Sequence, residues 1–137
     1  MQFICDAPGR KAWFRIETEA EVEAEARMMR HAVDKYFARE LAAARESYRP
    51  LGGVERDIGL KDHIARATPL FLTLRADDGE GLATAMLPPK GEADAKFRII
   101  IVGPENKDPY PEHADAIKAL GEKYGLTLRR EKCFPYA

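Results

Sequence analysis

Between Glu19 and Tyr48 the apolar residues Val22, Ala26, Met29, Val33, Phe37, Leu41, Ala44 and Tyr48 fall at steps of three and four. That period winds a single apolar stripe along an α-helix, so the sequence predicts one long helix over 19–48. Thr18 and Glu21 fit a capping box, in which each side chain satisfies a backbone amide left free at the helix start. Glu17, Glu19, Glu21, Glu23 and Glu25 crowd the first turns, and Arg39, Arg45 and Arg49 gather toward the end, as the helix dipole favours. At 1.5 Å per residue this helix would run roughly 40–45 Å. A compact domain of this length has a radius of gyration of only about 14 Å, so part of the stripe would find cover outside its own domain.

Around the helix the chain reads as strands and turns. Residues 2–6 and 12–17 flank Ala-Pro-Gly-Arg, a turn in which proline pre-sets the first central position and glycine takes the positive φ of the second. The predicted hairpin carries Phe3, Ile4, Trp13, Phe14 and Ile16 as core surface. Pro50 stops the helix, a glycine-containing loop follows, and a short helix is expected over about 59–66. Asp78-Gly79 then marks a second hairpin between strands 70–75 and 82–87. After a polar stretch that begins at Pro88-Pro89 comes 97–102, with Phe97, Ile99 and Ile101 on one side and Ile100 and Val102 on the other. Apolar on both faces, it reads as a central strand covered on both sides. A helix over 111–124, with Pro111 in its first turn and Gly125 as its stop, leads to a last strand over 126–132.

The order β-β-α-(α)-β-β-β-α-β defines an α+β class. Its sheet is mostly antiparallel, of about six strands, with helices on one face and room for one parallel crossover at the end. The 137 residues are expected to form a single domain, 1–137, whose core needs no disulfide or metal. Net charge is −1, without the basic excess of a nucleic-acid-binding surface. The tail, with Arg129, Arg130 and Lys132 among Phe134 and Tyr136, reads as aromatics folded back on the core. Cys5 and Cys133 fit two reduced thiols in a cytoplasmic protein. The first ten residues lack the pattern of a signal peptide, and no apolar run reaches the roughly 20 residues of a membrane span.

No catalytic or cofactor motif is present, and none is expected to be used. Serine occurs once, at Ser47, without a nucleophile elbow around it. His31, His63 and His113 lie in separate segments with no metal-ligand spacing. His31 reads as a partly exposed helical residue on the flank of the stripe. His63, with Asp57 and Asp62, reads as surface. The stretch from Gly103 to His113 stands out because a strand end and a helix start meet there, the usual binding position of an α/β unit. Asn106, Asp108, Tyr110 and His113 could supply donors, an acceptor and a titratable group. The same loop carries Glu105 and Glu112 and has no glycine-rich phosphate cradle, so a solvated connection remains the competing reading. Two functions follow as expectations. One is a non-catalytic interaction module, associating with itself or with another protein through the long helix or a sheet edge. The other is a small-molecule or anion-binding domain, or an enzyme, using 103–113.

Overall fold

The computed structural model describes residues 1–49, 56–89 and 98–136. Pro50 and the glycine loop after it, the polar stretch from Lys90, and Phe97 lie outside the described residues, as does the side chain of Asp57. The class is α+β. Strands β1 (Gln2–Ala7), β2 (Lys11–Arg15), β3 (Leu70–Ala76), β4 (Gly81–Leu87) and β5 (Ile100–Val102) pair in chain order as one antiparallel sheet. The first hairpin turns at Gly9, whose φ of 84° is the left-handed value expected there. The second turns at Gly79 with φ of 90°, closed by a bond from the Gly79 amide to the Ala76 carbonyl.

The stripe of 19–48 is buried as expected but does not lie on one helix. It divides into α1 (Glu19–Met29) and α2 (Val33–Ser47), about 16 and 22 Å long. The Thr18–Glu21 capping box opens α1. Arg30 ends it in the left-handed conformation at φ 56°, and its amide and that of His31 both reach the Ala26 carbonyl. The chain thus turns back over the sheet, so Val22, Ala26, Val33 and Phe37 pack together on Phe71 and Met86. Neither helix outruns the domain. The length argument for an outside partner does not apply to them.

Two-residue alternation distributes the strand side chains to both faces. Leu70, Leu72 and Leu74 of β3 join Trp13, Ala85 and Ile101 beneath α4 (Tyr110–Tyr124), which contributes Ala116, Ile117 and Leu120. The intervening Phe71 and Met86 face α1 and α2. Helices therefore cover both faces, not one, because both strand periods are apolar enough to need cover. Helix α3 (Arg56–Ala67) packs outside α2, with His63 Nε2 2.7 Å from Ser47 Oγ.

Two strand expectations are corrected. Strand β5 lies at the sheet edge rather than the centre, although helices and tail still cover both its faces. No sixth strand forms over 126–132: Leu128 is buried beside α4, but Arg130–Lys132 winds into a 3-10 turn. Only Phe134 pairs with the sheet, through a single parallel bridge to Ile100. The predicted crossover is reduced to that bridge.

Candidate functional site

The break between α1 and α2 is where the polar chemistry concentrates. Glu25 of α1 is completely buried. Its Oε1 accepts from Arg75 Nη2 at 2.8 Å, and its Oε2 accepts from the Thr84 hydroxyl at 2.5 Å. Arg75 also donates through Nε to Thr73 Oγ1 at 3.0 Å and through Nη1 to the Gly79 carbonyl. Thr84 Oγ1 lies 2.8 Å from His31 Nε2, while His31 Nδ1 faces the Val33 amide at 3.4 Å. With Nδ1 as acceptor, the neutral ring carries its proton on Nε2 and donates to Thr84, which donates to Glu25. Arg75, Glu25, Thr84 and His31 thus form one connected network from β3 through α1 and β4 to the helix break, with Arg75 donating from one side and His31 through Thr84 from the other, both toward the Glu25 carboxylate.

His31 is not helical, as its periodicity implied, but sits in the turn with its ring against the sheet. There it forms the wall of a cavity of about 320 Å³ enclosed by the start of α2, β4, β5 and the tail. Phe71, Met86, Ile100 and Val102 supply an apolar lining, and Thr84 and Asn106 join His31 as polar groups. Cavities of this size and composition are typical of small-molecule sites. Left-handed non-glycine residues flank it on both sides, Arg30 at φ 56° and Glu105 and Asn106 at φ 57° and 61°. An Arg30–Glu105 ion pair joins the two flanks. A broader cleft of about 530 Å³ between α4 and residues 126–131 is walled by Lys118, Glu122, Arg129 and Glu131, all exposed.

The four residues singled out in the sequence occupy different surroundings. Asn106 lines the apolar cavity. Asp108 accepts from the Tyr110 amide at 3.0 Å and from Arg130 Nε at 2.7 Å, which fixes the start of α4. Tyr110 lines the broader cleft and donates its hydroxyl to the Leu128 carbonyl; burial pushes its phenol up, with Cys133 as hydrogen-bond partner. His113 sits 2.9 Å through Nδ1 from Lys11 Nζ on β2. Both cysteines are free, Cys133 buried and Cys5 half-buried. Among the described residues no three of His, Cys, Asp and Glu gather as metal ligands would, and no helix is long and apolar enough to cross a membrane.

Sequence reasoning missed Glu25, Thr84 and His31. A signal existed for Glu25, which lies three residues after Val22 and four before Met29, on the buried stripe itself. A carboxylate at that phase needs a buried partner. Nothing local distinguishes Thr84 from any β-prone threonine.

Burial holds the His31 imidazole below the ordinary histidine range, with Glu25 and Asp34 pulling the other way. His113 is held low by burial first and then by Lys11, against Glu112. A histidine whose folded pKa is lowered binds fewer protons than the unfolded chain. Stability is then complete above the unfolded value of about 6.5 and falls as pH drops below it. The urea midpoint should decline on acidification from about pH 7.5 to 5.5, and His31→Gln and His113→Gln should each flatten that decline. Each proton accounts for at most about tenfold in the unfolding constant per pH unit. A His31→Gln profile as steep as wild type would show that His31 is not held low. Glu21, kept low chiefly by its bond to the N-terminal amine, acts only further into acid.

No family model, no curated protein and no solved structure matches this chain.

Proposed function

We propose that this chain is a small-molecule-binding domain that holds a compact, largely apolar ligand against Phe71, Met86 and Ile100, with His31 and Asn106 at the polar end. The observation that carries this reading is a cavity of about 320 Å³ whose polar wall is fixed by a buried chain of hydrogen bonds. A buried carboxylate and arginine are costly to desolvate, and apolar residues of similar volume would serve the core as well or better. Here they orient His31 at a cavity wall, as supporting groups do in a binding site. The reading moves the site from the 103–113 loop as a whole to the cavity that its Asn106 borders. Binding is favoured over catalysis because, among the described residues, the wall holds no serine, cysteine, lysine or carboxylate.

The test is thermal unfolding against a panel of compact aryl-alkyl and alkyl compounds, on wild type and on Ile100→Trp. The half-buried Ile100 lines the cavity, and an indole there would occupy the space a ligand needs. A ligand at about 100 times its dissociation constant adds roughly 2.7 kcal/mol to stability, enough to raise the unfolding temperature by several degrees. Such shifts should appear in wild type and vanish in Ile100→Trp. Shifts that survive the substitution place the ligand elsewhere, and a silent panel removes the proposal.

A further inference from the structure

Charge around the cavity mouth narrows the ligand. Of the three aromatic rings bordering the cavity, Phe71 packs edge-on against Phe37, and the other two each carry a guanidinium on one face: Arg39 lies 4.7 Å from the Tyr36 centroid and Arg98 lies 4.7 Å from that of Phe134. A cation on the ligand would compete with these guanidinium groups at Tyr36 and Phe134, and would be repelled by the same arginines. Arg30, next to His31, is paired with Glu105, and Arg39 has Glu40 at 3.7 Å. Asp34 and Lys35, of opposite sign, border a separate cleft outside the cavity. Arg98 differs. It is exposed, and among the described residues it has no carboxylate partner, only the Phe134 ring. The one carboxylate buried behind the wall, Glu25, already has both oxygens engaged by Arg75 and Thr84.

Resting on the cavity reading above, we propose that the ligand is an amphipathic monocarboxylate. Its apolar body fills the space between Phe71, Met86 and Ile100, and its carboxylate passes the Phe134 ring to reach Arg98, which lies on that ring just outside the lining. Arginine offers a planar fork that matches a carboxylate, and such charge-assisted bonds are about twice as strong as neutral ones. The neutral His31 adds no charge of its own, so Arg98 sets the preference.

The experiment compares 4-phenylbutyrate, 4-phenylbutyramide and 4-phenylbutylamine, three probes of one size and three charges, by calorimetric titration near neutral pH. Wild type should bind the acid at least about tenfold more tightly than the amide, the step expected for a hydrogen bond to a charged group. The amine should bind most weakly. In Arg98→Gln the acid should fall to within about threefold of the amide while the amide is unchanged, and Arg98→Lys should keep part of the preference. Because Arg98 is exposed, these variants test binding in a folded protein, and amide affinity is the internal check. An acid no tighter than its amide in wild type overturns the carboxylate assignment and leaves the cavity reading standing. An acid preference that survives Arg98→Gln overturns the role of Arg98. If none of the three binds, the cavity reading fails and this inference falls with it.

Discussion

Replacing Arg75 with methionine should destabilise the protein by about 3–5 kcal/mol, because it strands the Glu25 carboxylate without a counter-charge in a place water does not reach. Glu25 is fully buried, and Thr84 would be its one remaining donor among the described side chains. Glu25→Leu should cost less, since the Arg75 side chain retains some exposure, about 17%, and can turn its charge to solvent. The double variant Glu25→Leu/Arg75→Met should recover most of the loss, as apolar replacements of buried ion pairs commonly do. Urea unfolding of all four proteins at neutral pH completes the cycle and isolates the coupling between the two groups. A cost below about 1 kcal/mol for Arg75→Met would mean that the carboxylate is not held as a buried charge at all. The cycle also bears on function. In the double variant Thr84 loses its acceptor and His31 its orientation, so ligand binding should weaken even where stability is restored. That outcome would separate a polar chain kept for folding from one kept for the cavity.

The reasons this chain was partly legible are visible in its elements. Both hairpins followed from turn chemistry, because the turns at Gly9 and Gly79 need a left-handed residue and glycine adopts it without strain. The stripe from Val22 to Ala44 was legible as a buried face, since periodicity reports which side of a helix is covered. It does not report continuity. The break at Arg30 and His31 uses neither glycine nor proline, and the stripe keeps its phase because both helices lie on the same face of one sheet. Besides the local bonds to the Ala26 carbonyl, the turn is held by a bond from His31 to Thr84, 53 residues away, which no local window contains. The last strand failed for a related reason. Leu126 and Leu128 alternate as strand residues do, but their burial comes from α4 and not from a neighbouring strand. The cavity was illegible because it is the space left between segments distant in sequence. Asn106 was found only through its place after a strand end.

On the opposite face of the sheet, Trp13→Ala should cost about 3–5 kcal/mol, in the range of large-to-small aromatic truncations in a core. Trp13 is fully buried, lies in register between Cys5 and Leu74, and donates Nε1–H to the Ala116 carbonyl of α4 at 2.8 Å. It therefore packs α4 onto the sheet and fixes it by one directed bond. Truncation leaves a void beneath the middle of the helix that neighbouring leucines can fill only in part. For a domain of this size the melting temperature should fall by roughly 10–20 °C. Trp13→Phe keeps most of the apolar area and should cost about 1–2 kcal/mol, since the Ala116 carbonyl still accepts within its helix. Trp13 is the single tryptophan, so melting is followed by circular dichroism and not by its fluorescence. The two variants also test how independent the two helical layers are. The ligand cavity belongs to the face under α2, so Trp13→Phe should leave affinity for 4-phenylbutyrate within about twofold of wild type. A large loss of affinity in that mild variant would mean that packing beneath α4 is transmitted through the sheet to the cavity, and the site would have to be treated as a property of both layers.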